Sequence, residues 1–252
     1  MESCSFSGKK ALVVGGTGGI GRKISLILAK NGADLVIHGS GNDEKSASLA
    51  QQIQETSGKT PKIIAQKLTE SSFSNLDSSP LLDSVRTCDI LCVCFSPFIQ
   101  KPLHETSISD WQKTALLDYA LPGLLVSASL PNMMKKNWGR ILLFGGTGTE
   151  HRTEFSTNPA YASAKSGLNV LVSSVAASYA NYGINCNMIL PGFTDTEYLS
   201  DKLKAELSAK MPSGTLIQAE SIAETALFLL KNADINGAIL RVDRGWTPLN
   251  YF

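Results

Sequence analysis

The segment that most constrains this chain runs Ala11-Leu-Val-Val-Gly15-Gly16-Thr17-Gly18-Gly19-Ile20-Gly21, an apolar strand pattern that breaks into glycines. Gly15 lets the chain turn sharply out of the strand. Gly19 allows the backbone to approach a pyrophosphate, and Gly21 lets the next helix pack closely on the sheet. The helix amino terminus then offers free N–H groups and a favourable dipole to phosphate, with Thr17, Gly18 and Ile20 completing the cradle. The spacing is Gly-x3-Gly-x-Gly, wider than the G-x-G-x-x-G fingerprint. Its place between a first strand and a first helix makes it a nucleotide site rather than only a tight turn.

Further apolar, β-branched runs predict strands at Lys10–Gly15, Asp34–His38, Lys62–Gln66, Asp89–Phe95, Arg140–Phe144, Ile184–Leu190 and Ala238–Val242. Helical patterns separate them at Ile20–Asn31, Asp43–Thr56, Asp110–Lys136, Ala160–Asn181 and Ser221–Lys231. Ser71–Ser79 reads as a loop or a poorly formed helix. Near-continuous apolar strands alternating with helices predict an α/β, doubly wound Rossmann fold, a seven-stranded parallel sheet with helices on both faces. At 252 residues, with no linker or repeat, the whole chain, 1–252, reads as one dinucleotide-binding domain.

A net charge of +1 and 18% charged residues give no basic footprint for nucleic acid. The opening MESCSFSGKK lacks the apolar core of a signal peptide, and no uninterrupted apolar stretch reaches membrane-spanning length. The expectation is a cytoplasmic protein with no membrane contact. Cys4, Cys88, Cys92, Cys94 and Cys186 are expected as free thiols, with Cys92 and Cys94 on one face of a strand and no metal site. His38, His104 and His151 are scattered and read as surface or core residues rather than ligands.

Tyr161-Ala-Ser-Ala-Lys165 is the second strong signal. Residues four apart share a helix face, so phenol and ammonium can point into one site. A nearby cation favours the phenolate and is expected to lower the phenol's pKa. Together with the glycine turn, this pair resembles the short-chain dehydrogenase/reductase family, and the match extends from Lys9 to Trp246. The resemblance implies an NAD(P)-dependent oxidoreductase that moves a hydride between a nicotinamide and a carbonyl or alcohol. Tyr161 would be its acid/base, and Lys165 would tune the phenol and hold the nicotinamide ribose. Pro191-Gly192-Phe193-Thr194-Asp195-Thr196 resembles the segment beside the nicotinamide, where Thr194 would bond the carboxamide. The general pattern is nearest to 3-oxoacyl-carrier-protein reductases, through Asp110-Trp111 and Trp138-Gly139-Arg140-Ile141.

Other positions depart from the family. Val14 stands where Thr usually precedes the first glycine, and Val93-Cys94-Phe95-Ser96 replaces Asn-Asn-Ala-Gly. The supporting Asn becomes Asp118, whose carboxylate, if close, would favour protonated Tyr161. The catalytic Ser becomes Gly146, leaving Thr147 and Thr149 as the nearest hydroxyls. Thr147 therefore joins Tyr161, Lys165 and Asp118 as a candidate catalytic residue. The alternative is a dinucleotide-binding pseudoenzyme without turnover; a scaffold with no ligand fits the intact glycine turn and Tyr161/Lys165 pair poorly. Gly39 and Ser40 end the second strand where an NAD-selective site carries an acid, so NADP is expected, with NAD open. Phe95, Phe98, Phe155, Phe193 and Tyr198 fall where loops would line a cleft for a small-molecule substrate, and Asp195–Lys210 reads as a mobile lid or a solvated helix. Small residues along the Tyr161 helix, from Ala162 to Ser178, suit either internal packing or association. The resemblance favours a homo-oligomer, a tetramer or a dimer.

Overall fold

A computed structural model describes residues 6–41 and 43–246. Strand β1 (Lys10–Val14) lies at the centre because its apolar side chains are buried on both faces. It pairs in parallel with β2 (Asp34–Gly39) on one side and with β4 (Ile90–Val93) on the other. β3 (Lys62–Ala65) extends the first side, and β5 (Gly139–Phe144), β6 (Ile184–Pro191) and β9 (Ile239–Val242) extend the second. The order is β3-β2-β1-β4-β5-β6-β9. The chain winds outward from β1 to β3, then crosses to β4 and winds the other way. The crevice at the carboxyl ends of β1 and β4 is therefore the topological switch point, where open α/β sheets bind ligands.

Helices cover both faces. One core joins Val13, Ile37, Ile90 and Leu142 of the sheet to Ile24 and Leu28 of α1 (Gly19–Lys30), to Leu49 and Ile53 of α2 (Asp43–Ser57) and to Ile222 and Leu229 of α9 (Ala219–Lys231). The opposite core joins Leu12, Leu91, Ile141 and Met188 to α4 (Pro80–Val85), α6 (Leu121–Lys136) and α7 (Pro159–Tyr179). Cys92 and Cys94 pack in the first core, and Cys88 and Cys186 lie in the second. These four are free thiols; Cys4 lies outside the described residues. Among the described residues, no group of three His, Cys, Asp or Glu is placed to hold a metal ion.

Local chemistry explains where the expected boundaries shift. Ser71–Ser79 is not one loop. Thr69 and Ser72 form a capping box that starts α3 (Glu70–Phe73), Leu76–Ser78 makes a 3₁₀ turn, and the Ser79 hydroxyl accepts from Leu82 N–H to start α4. The helix expected from Asp110 begins earlier, because Ser107 and Asp110 cap α5 (Ile108–Thr114). A π-helical turn over Ala115–Ala120 then joins α5 to α6. The run Ile108–Lys136 is long and apolar enough to cross a membrane, with a mean hydropathy of 1.2, although polar residues interrupt it in sequence. Half of that window is buried inside the fold, as suits a core helix. The stretch after Asp195 contains α8 (Asp201–Lys210), a solvated helix with no buried residue. Flanking it, β7 (Thr194–Asp195) and β8 (Ile217–Gln218) form a two-residue pair too short to show in sequence periodicity.

Candidate active site

The glycine turn leaves β1 at the switch point. Gly15 has φ +77°, and a Cβ there would stand 2.8 Å from the backbone nitrogen of Phe95. A Cβ on Gly21 would meet the Gly15 carbonyl oxygen at 2.2 Å, so helix and turn touch backbone to backbone. β2 holds the turn from the side. Gly16 N–H donates to the His38 carbonyl at 2.8 Å, and Gly15 N–H donates to His38 Nδ1 at 3.3 Å. With Nδ1 accepting, Nε2 carries the proton and donates to the Gln66 carbonyl at 2.8 Å. Burial pushes the His38 pKa down to about 4, with the Gln66 bond opposing, so the ring is neutral at physiological pH.

The amino terminus of α1 already holds an anion. Gly19 N–H donates to both carboxylate oxygens of Glu197, at 3.1 and 3.2 Å, and Lys45 pairs with that carboxylate at 3.5 Å. Burial opposes ionisation of Glu197, but backbone N–H bonds, Gly19 among them, and Lys45 hold its pKa below the usual carboxylate range. The Tyr198 hydroxyl lies directly over Gly18, in the space a Cβ would fill. A carboxylate on this amide stands in for a phosphate oxygen, so these residues fit the pyrophosphate of a dinucleotide. The adjoining cleft measures about 640 Å³ and is lined by Gly19, Arg22, Lys45 and Thr196 among others.

The second cluster gathers at the carboxyl end of β5. Pro159 opens α7 at a position where its missing N–H costs nothing, and the helix carries Tyr161 and Lys165 into the site. Lys165 is 2% exposed and donates from Nζ to the Phe144 carbonyl at 2.9 Å. Its Nζ lies 3.9 Å from Asp118 Oδ1 and 5.7 Å from the Tyr161 ring centroid. Burial pushes Lys165 down to about 8, opposed by Asp118 and Cys94. Asp118 sits on the π-helical turn, a distortion that recurs at functional sites. It is fully buried, which pushes its pKa up to about 6 against the pull of Lys165, Ser96 and Lys113. Ser96 Oγ donates to Asp118 Oδ1 at 2.5 Å, while Asp118 Oδ2 has no partner. The Phe98 ring meets Tyr161 edge-on at 4.9 Å.

The phenol corrects one expectation. Its pKa is raised, first by burial and then by Asp118, with the Ser96 hydroxyl opposing. The ammonium expected to lower it is engaged with the Phe144 carbonyl instead. Tyr161 is therefore held as a protonated phenol.

Residues 15–247 match the family model described as enoyl-(acyl carrier protein) reductase, one of the short-chain dehydrogenases. The chain belongs to the short-chain dehydrogenase/reductase family. It is 30% identical over 256 residues to an uncharacterised oxidoreductase of Bacillus subtilis, covering 94% of this chain and 98% of that protein. It is 31% identical over 250 residues to the 3-oxoacyl-[acyl-carrier-protein] reductase of Escherichia coli, covering 96% and 98%. A doubly substituted short-chain dehydrogenase/reductase of Serratia marcescens superposes with a TM-score of 0.81 at 24% identity, covering 96% and 98%, a likeness of fold. As a member of this family, the protein is a nicotinamide-dependent oxidoreductase.

Where this family member departs from the common pattern, the structure shows what each residue does. A Cβ on Gly146 would stand 3.3 Å from Tyr161 Cε1 and 3.8 Å from its hydroxyl oxygen, so a serine there would face the phenol. Neither neighbouring threonine turns its hydroxyl that way. Thr147 donates to the Pro191 carbonyl at 2.9 Å, and Thr149 donates to the Gly146 carbonyl at 2.8 Å. Thr147 braces the loop against β6. Thr194, expected to reach a carboxamide, donates to the Gly192 carbonyl at 2.9 Å. Ser40 is exposed at the end of β2. The hydroxyl beside the phenol belongs to Ser96, which sequence reasoning recorded only as a departure from Asn-Asn-Ala-Gly. Its place just beyond β4, at the switch point, was the available signal. His38 and Glu197 were missed as partners of the glycine turn, because backbone and long-range contacts leave no spacing pattern.

Proposed function

We propose that this short-chain reductase uses NADPH to reduce the ketone of a 3-oxoacyl thioester, with Tyr161 as the proton donor. The observation that carries the reading is the protonated phenol of Tyr161 beside buried Lys165, on the same sheet edge as an anion-binding glycine turn. When bound, the nicotinamide supplies the hydride. The chain's own residues do the rest. Gly15, Thr17, Gly18, Gly19, Ile20 and Gly21 seat the pyrophosphate, while Pro191, Gly192 and Thr194 wall the nicotinamide side. Lys165 fixes the ribose and Tyr161, and the phenol gives its proton to the oxygen that becomes the alcohol.

Three features support the finer assignments. A Cβ on Gly39 would run into the Thr17 side chain, so the acid that selects NAD could stand at the end of β2 only if Thr17 moved. Arg22 and Lys45 on the cleft wall offer cations to a 2′-phosphate, although Glu44 and Glu197 line the same cleft. The similarity to the Escherichia coli reductase, whose name gives a 3-oxoacyl thioester substrate, supports that substrate class. We place the reaction in the cytoplasm.

We further propose a homotetramer. Val170 on α7 is 70% exposed, and Phe228 on α9 is 55% exposed. Dihedral assembly uses two separate two-fold interfaces, and we assign one to each of these helices.

The test measures reduction of a 3-oxoacyl thioester series with NADPH and with NADH. Turnover with NADPH preferred by tenfold or more supports the reading, taking a tenfold ratio as about 1.4 kcal/mol of discrimination. Preference for NADH overturns the cofactor assignment. Turnover confined to simple ketones overturns the substrate class.

A further inference from the structure

The active site lacks a loop serine yet has a hydroxyl on its opposite wall. Ser96 follows β4, is half-buried, and faces the cleft where Tyr161 lies. Its Oγ lies 2.5 Å from Asp118 Oδ1: Ser96 donates while Asp118 is a carboxylate, and the bond reverses when the carboxyl carries the proton. When Asp118 carries the proton, the Ser96 O–H is free to donate to the phenolate oxygen. Asp118 Oδ2 is fully buried and without a partner, a cost that falls more heavily on the carboxylate than on the neutral carboxyl. The π-helical turn under Asp118 is the local distortion that carries it here.

We propose that Ser96 replaces the hydroxyl missing at Gly146 and, with Asp118, forms a proton relay to Tyr161. The inference rests on Tyr161 as the proton donor. In the reducing direction the Tyr161 O–H bond breaks as its proton passes to the substrate oxygen. The phenolate oxygen takes the Ser96 proton, and Ser96 Oγ takes the proton of the Asp118 carboxyl group, leaving a carboxylate that regains a proton from solvent before the next turnover. Alcohol oxidation runs the same transfers backward and leaves Asp118 protonated. No electron moves through the relay. The groups facing Asp118 are Lys165 and Tyr161 from α7, Ser96 from the loop after β4, and Lys113 from α5; Cys94 adjoins Lys165. Because burial holds the Asp118 carboxyl near a pKa of about 6, reduction slows and oxidation quickens as pH rises through that value.

Infrared difference titration of the protein without dinucleotide reads this carboxyl directly. The native protein should show a buried carboxyl C=O band disappearing as pH rises through about 6. Asp118→Asn should lack it, and Ser96→Ala should move its midpoint upward, because a bond that favours the carboxylate is gone. Ser96→Ala should cut turnover about a hundredfold with dinucleotide affinity unchanged, and Ser96→Thr should restore much of it. In Asp118→Asn the pH limb near 6 should vanish. A native protein without that band, or a Ser96→Ala variant with native midpoint and native rate, overturns the relay. Because the infrared reading needs no substrate, it stands or falls separately from the assignment of Tyr161, which Tyr161→Phe tests.

Discussion

At the scale of single residues, chemistry here is set by burial more than by formal charge. Tyr161 and Lys165 are four apart on α7, so their common face was legible in the sequence. The direction of the phenol shift was legible only in part: Asp118 was expected to favour the protonated phenol if close, but the burial that dominates the shift shows in no local spacing. His38 makes the same point. Read from sequence it is one of three scattered histidines; in the fold it holds the glycine turn through its ring and its carbonyl. Its pKa lies at about 4 in the fold, against 6.5 when unburied. Between those values the unfolded chain binds the extra proton, so acid favours unfolding. Stability should therefore fall as pH drops from about 6.5 to about 4, by up to about 3 kcal/mol from this residue. Urea unfolding across that window checks the slope, and His38→Gln should flatten it.

At the scale of elements, the pattern of apolar runs revealed the seven strands of the sheet: β1, β2, β4, β5 and β6 are buried along nearly their whole length, while the edge strands β3 and β9 are partly exposed. The short pieces escaped it. α3 and α4 exist because Thr69, Ser72 and Ser79 cap them, and β7 pairs with β8 over only two residues. The consequential one is the segment from β7 into α8. It carries Glu197 onto the Gly19 amide and Tyr198 over Gly18, so an arriving pyrophosphate competes with a carboxylate for the same N–H. Glu197→Gln should tighten dinucleotide binding about twofold to fivefold, the usual worth of one charge at a helix terminus. Fluorescence titration at low and moderate salt measures it, and the advantage should shrink as salt screens the charge. Unchanged affinity would mean that the segment leaves the cradle without cost.

At the scale of the whole molecule, the winding order brings the glycine turn after β1 and the reactive cluster beyond β4 and β5 to one edge of the sheet. The same winding leaves α7 on one flank and α9 with β9 on another, each with exposed apolar side chains. Some small residues of α7 serve internal packing, since a Cβ on Gly167 would stand 2.8 Å from the Tyr119 ring. Others, including Ser173, Ser174 and Ala177, are exposed. Val170→Asp and Phe228→Asp should each reduce the proposed tetramer to a dimer, and together to a monomer, by sedimentation velocity at micromolar concentration. A monomeric native protein would refute the assembly.

The central claim is that Tyr161 delivers the proton in a site whose loop hydroxyl is missing at Gly146. The most direct measurement is the turnover of native, Tyr161→Phe and Gly146→Ser proteins with NADPH and a 3-oxoacyl thioester, alongside dinucleotide affinity for each. The account predicts a modest native rate, its loss in Tyr161→Phe at nearly unchanged affinity, and a gain in Gly146→Ser, whose new side chain would face the phenol. An efficient native enzyme whose rate survives Tyr161→Phe would contradict it.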